Sequence, residues 1–186
     1  MRRLQKLPIL ITLVFFSCDK EENLISISES SFQFKWINSL NGPSEEDEID
    51  AIASDNQGNV YLSGKFENEL KVEGQTQPLV SNGMADIMVV KYNQDGIWQW
   101  SKKFGGIGED NIFDADCDKQ GNLILSGYFQ GTVQFGSFEL TSLGGFDMVL
   151  LKISPNGEVI NAIRLGGTGN DGGNEGDRDG GGEGGE

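Results

Sequence analysis

Ile49, Ala51 and Ala53 alternate with Asp50, Ile52 and Ser54, the period of two that predicts a β-strand. Residues 55–59 cluster Asx residues and glycine, which tolerate positive φ and bond their own backbone, so a turn is expected there. The β-branched and aromatic stretch 60–66 predicts the return strand of a hairpin. Residues 87–92 form a run that is apolar except at Lys91, as in a strand buried on both faces. A second turn follows at 93–96, and 97–104 alternates again, with Trp98, Trp100 and Lys102 expected on one face. The span 67–83 predicts a small extra hairpin around Gly74 and Gln75. Outside residues 7–16 no segment has a helical period.

The pattern then repeats. Asp55, Gly58, Asn59 and Gly64 match Asp118, Gly121, Asn122 and Gly127 at an offset of 63, as Phe66 matches Phe129. Asp86 and Lys91 match Asp147 and Lys152 at an offset of 61. Phe104, Gly105, Gly106, Gly108 and Asp110 return as Leu165, Gly166, Gly167, Gly169 and Asp171, and a looser first copy is Leu40-Asn41-Gly42, with Trp36 answering Trp100. A fixed period with small indels means stacked supersecondary units. Each unit has four strands, two tight turns and a glycine-rich passage onward, and four antiparallel strands per repeat is the pattern of a propeller blade.

In order, these motifs resemble the bacterial β-propeller repeat called SBBP: a GG-x-G-x-D passage, an Ala-rich strand, D-x-x-G-N-V-Y-x-x-G, GG-x-D-aliphatic-K and a D-G-x-x-W close. Here they are residues 105–110, 118–127, 144–147 with Lys152, and in the first copy 55–64, Asp86, Lys91 and 95–98. The resemblance covers residues 34 to 171 and implies an all-β fold of antiparallel four-stranded blades. The propeller is incomplete, because two blades do not close a ring of about 4–8. The expected boundaries are a first repeat at 32–104, a second at 105–165, and the start of a third from 166 to 186. A fragment of a longer product, or several chains sharing a ring, would account for two blades; we favour the fragment.

The first residues change the address. Arg2, Arg3 and Lys6 precede an apolar run at 7–16, too short for a membrane span of about 20 residues and suited to a secretory signal. Ser17-Cys18 straight after it resembles the lipobox of bacterial lipoproteins. That resemblance implies a signal peptide over 1–17 and acylation of Cys18, whose hydrocarbon chains would supply stable attachment. The charges at 19–22 resemble the export signals that send some lipoproteins to the outer face of the outer membrane, and 18–31 reads as a tether. An ordinary signal peptide with an incidental cysteine is the plainer alternative. With Cys18 acylated, Cys117 has no partner for a disulfide and is expected to pack as a small apolar residue.

Composition then removes whole classes of activity. The 186 residues hold 29 acids and 14 bases, a net charge of −15, which excludes a general nucleic-acid binder. The absence of histidine excludes Ser-His-Asp and Cys-His catalysis. Of 27 glycines, 11 lie from Gly166 onward, so 172–186, lacking any apolar residue, is expected to be a disordered tail.

Few side chains suggest chemistry. The GG-x-G-x-D passages also occur in calcium-binding nonapeptide repeats, but copies 61 residues apart favour a connection between blades. Asp114, Asp116 and Asp118 would share a strand face, yet Lys119 and Leu125 hold positions that a calcium loop gives to glycine and glutamate. Asp55, Gly58, Asn59, Asp118, Gly121 and Asn122 read as turn-forming positions. Asp86 and Asp147 read the same way, with Lys91 and Lys152 available to pair with such aspartates. Trp36, Trp98 and Trp100 would pack between blades rather than stack on sugars. The expectation is a non-catalytic binding or scaffold module on the cell surface, with no cofactor or metal and with a glycan, envelope protein or host protein as ligand. Its rival is the N-terminal piece of an envelope carbohydrate-active enzyme whose catalytic part lies elsewhere.

Overall fold

The computed structural model describes residues 36–171. The signal segment 1–17, Cys18 with the tether 18–31, and the tail from 172 lie outside the described residues. Among the described residues every regular element is a strand: β1 (Leu40–Asn41), β2 (Glu48–Ser54), β3 (Val60–Phe66), β4 (Glu69–Val72), β5 (Leu79–Val80), β6 (Asp86–Tyr92), β7 (Trp98–Phe104), β8 (Asn111–Cys117), β9 (Leu123–Phe135), β10 (Phe138–Ile153) and β11 (Val159–Leu165). They form three antiparallel sheets, ordered β2-β3-β6-β7, β8-β9-β10-β11 and β1-β4-β5. The first two, called here the first and second sheets, carry the two copies of the repeat.

The turns at 55–59 and 118–122 fold alike. The backbone N–H of Gly58 donates to Asp55 O, and that of Gly121 to Asp118 O, each at 2.9 Å. Gly58 and Gly121 sit at φ of 77° and 78°, where a Cβ would be strained. Bulges then decide which face each side chain takes. Ile49 pairs with Gly64 but Ala51 with Ser63, so Asp50 is extra; Ile112 pairs with Gly127 but Asp114 with Ser126, so Phe113 is extra. Tyr92 pairs with Trp98 and Lys91 with Trp100, leaving Gln99 unpaired. The expectation that Trp98 and Trp100 share a face is therefore corrected: the bulge at Gln99 sends them to opposite faces. Ile49 is parted from Ala51 and Ala53 in the same way.

The main core lies between the two sheets. It joins Tyr61, Ile87, Val89 and Phe104 of the first to Leu125, Phe129, Val149 and Leu151 of the second. Burial of each such side chain contributes roughly 1.5–3 kcal/mol. A second cluster lies on the other face of the first sheet, where Phe66, Met88, Val90 and Tyr92 meet Leu70, Val72 and Leu79, with Leu40 and Trp98 at its margin. Leu70, Val72 and Leu79 come from the 67–83 excursion, a β4–β5 hairpin with β1 beside it. In the second repeat the corresponding chain is continuous with β9 and β10. The kink is nevertheless shared: Asn68 and Gly131, 63 residues apart, have φ of 59° and 78°, and their N–H groups donate to Ser81 and Ser142 Oγ at 2.9 Å.

Candidate functional site

The repeated aspartates are engaged in backbone bonding. Asp55 Oδ1 accepts from the N–H groups of Gln57 and Asn59 at 2.9 and 3.0 Å, and Oδ2 accepts from Asn59 Nδ2 at 2.7 Å. Asp118 makes the same three bonds with Gln120 and Asn122, each at 2.9 Å. Burial pushes the Asp55 carboxyl up, but its hydrogen bonds outweigh that and hold it below the usual range. Asp118 is also held low, first by Lys152 and then by Asn122.

The two lysines have different partners. Lys152 Nζ lies 2.7 Å from Asp118 Oδ2. At Asp55 the fourth donor is instead the Tyr61 hydroxyl, at 3.3 Å. Lys91 Nζ reaches across to the second sheet's turn and donates to Pro155 O at 2.9 Å, passing over the Tyr61 ring at 5.1 Å from its centroid. Trp100 Nε1 donates to the same carbonyl at 3.0 Å. Burial lowers the Lys91 pKa, consistent with a cation enclosed in the seam between sheets.

Asp86 and Asp147 are fully buried at the heads of equivalent stretches. Asp86 Oδ2 accepts from Asn82 N–H at 3.0 Å and lies 3.3 Å from Lys103 Nζ. Asp147 Oδ2 accepts from Leu143 N–H at 3.1 Å and lies 2.6 Å from Arg164 Nη1. Neither ion pair involves Lys91 or Lys152. Lys103 and Arg164 were not singled out in the sequence, although they stand 61 residues apart and keep their charge.

A third aspartate series closes the glycine passages. Asp110 is fully buried and accepts from Gly106 and Gln130 N–H at 2.9 and 3.0 Å. Asp171 accepts from Gly167 N–H at 2.6 Å. Asp47 accepts from Glu67 N–H at 3.0 Å, which matches the Gln130 bond at an offset of 63. Asp47 is therefore the first copy, hidden in the sequence because only Gly42 of its glycines is in place. Desolvation pushes the Asp110 carboxyl up to about 7 against these backbone bonds, with Asp86 and Glu109 adding to the rise.

No family model and no curated protein matches this chain. Function must then be read from surfaces. Among the described residues no three His, Cys, Asp or Glu side chains converge as metal ligands; Asp114 and Asp116 stand on a strand while Asp118 turns to Lys152. Cys117 is half-buried, and burial with nearby Asp55 pushes its thiol up to about 11. Trp100 packs in the main core and Trp98 against the second cluster.

Among the described residues no element packs on the second sheet's outward face. Strand register puts Asp114 and Asp116 beside Ser126 and Ile124, Leu150 and Lys152 on the other side of those, and Ile163 and Leu165 at the far edge. Met148, Leu150, Ile163 and Leu165 are exposed by 37 to 50%. A shallow depression of about 120 Å³ lies among Ile124, Leu150, Lys152 and Ile163.

Proposed function

We propose that this chain is a non-catalytic binding or scaffold module built from SBBP-type β-propeller blades, carried on the cell surface by a lipid on Cys18. The observation that carries this reading is the repeated sheet itself: two four-stranded antiparallel sheets, equivalent in register and bulges, packed face to face with an apolar face left over. Such an array spends most of its aspartates on turns and sheet heads and presents a broad strand surface. Its ligand is a glycan or a protein of the envelope or host, and further blades complete the ring.

Two measurements test this. A palmitate analogue should label the protein in a bacterial host, and Cys18→Ala should abolish labelling; a variant that still labels removes Cys18 as the anchor. Protease treatment of intact cells should release the repeat region, and protection there would refute surface display.

A further inference from the structure

The open face has a built-in template, because the first sheet's corresponding face is covered. Four apolar outward residues of the second sheet have counterparts that pack in the main core, while Ile163 answers to Lys102. Ile87 answers to Met148, Val89 to Leu150, Phe104 to Leu165 and Tyr61 to Ile124. On these three strands the apolar character is kept, so the face retains what a sheet needs in order to dock.

The first strand breaks the correspondence. Ala51 and Ala53, buried against the second sheet, become Asp114 and Asp116, both exposed. In the covered interface the opposing strand is β8, which presents Ile112, Ala115 and Cys117 to that cluster. A sheet docked on the open face would bring its own first strand against Asp114 and Asp116. Unpaired carboxylates in such an interface are costly; opposed by cations they set register and partner choice.

We propose that the open face docks a further four-stranded sheet of the repeat type, apolar at its centre and carrying Lys or Arg at the positions where the second sheet has Ala115 and Cys117. This deepens the blade reading and rests on the two sheets being successive equivalents. A second copy of this chain fits the face poorly, because Ile52 and Ser54 stand at those positions in its first sheet. The chain's own residues 172–186 have no aliphatic or aromatic side chain and do not answer the description.

The test grafts the partner onto the full chain by inserting a further copy of residues 111–171 after Asp171. One form keeps the native alanine and cysteine; the other carries Ala115→Lys and Cys117→Lys within the inserted copy only. In the lysine form, hydroxyl-radical oxidation of the original Met148 should fall severalfold below that of the parent chain, and the thermal midpoint should exceed that of the native form. Asp114→Asn with Asp116→Asn in the original second sheet should erase the difference between the forms. Equal protection in both forms would overturn the charge requirement. Protection in neither, including an insert that fails to fold, would overturn the docking face. A parent chain that sediments as a dimer and is split by Leu150→Arg would give the face to a second copy instead. Each of these outcomes leaves the Cys18 labelling result untouched.

Discussion

The forward faces of the two sheets have the same backbone but opposite fates. In the first sheet Ala51, Ala53, Tyr61, Ile87 and Val89 are buried against a neighbour; in the second, Asp114, Asp116, Ile124, Met148 and Leu150 take their places without one among the described residues. The difference teaches that the strand pairing of a unit does not depend on its forward face being covered. Turn aspartates, head aspartates and bulges recur in both sheets, so they belong to the unit. The side chains that differ belong to what each unit meets.

The sharpest way to break this comparison is to cut equal side chains from the two sides of one strand. Leu151→Ala, on the covered side of β10, should cost about 2–5 kcal/mol of stability, measured by urea unfolding. Leu150→Ala next to it should change stability by no more than about 0.5 kcal/mol. Similar losses would mean that the outward face is covered after all.

Next in size is a test of equivalence. A Cβ at Gly64 would overlap the carbonyl oxygen of Glu48, and one at Gly127 that of Asn111. Gly64→Ala and Gly127→Ala should each cost about 1–3 kcal/mol through forced backbone movement. A neutral result in one sheet alone would show that the close approach is not a property of the unit.

The lysines sharpen the seam. Lys91→Met removes a buried donor from Pro155 O and should lower stability by about 1 kcal/mol. Lys152→Met removes a partly exposed pair with Asp118, and its unfolding midpoint should move less.

The last test reads a slope rather than a single loss. The Asp110 carboxyl is raised from 3.8 to about 7 in the folded protein, so between those values the folded state holds more protons than the unfolded one. Its contribution is complete below pH 3.8 and is lost as the pH rises through about 7. Asp86, raised chiefly by burial, acts in the same direction. Urea titrations across this range should show stability declining with pH, and Asp110→Asn should flatten the decline. An unchanged slope would assign the effect to other groups.

The units, their hairpin turns and the buried run at β6 were legible in the sequence because each follows from local chemistry: Asx and glycine at turns, alternation in strands. The bulges were not. One extra residue at Asp50, Gln99 or Phe113 reverses the faces that alternation assigns, and nothing in those side chains announces it. Lys152 pairs with a turn aspartate, Asp118, as the sequence suggested, but the partner of Lys91 was beyond reach. Both lysines occupy one site in the repeat, but the carbonyl of Pro155 comes from the next sheet, and no such sheet stands beyond Lys152 among the described residues. Asp47 could have been found by counting 63 residues back from Asp110.

The doubly bonded carbonyl of Pro155 gives the molecule a spectroscopic handle. Two donors from the opposite sheet, Lys91 Nζ and Trp100 Nε1, converge on it, and each hydrogen bond weakens the C=O stretch. Isotopic labelling of that one carbonyl would isolate an infrared band at low frequency while the sheets are joined. The band would shift upward when the donors withdraw, which makes a single oscillator a clock for the parting of the two layers.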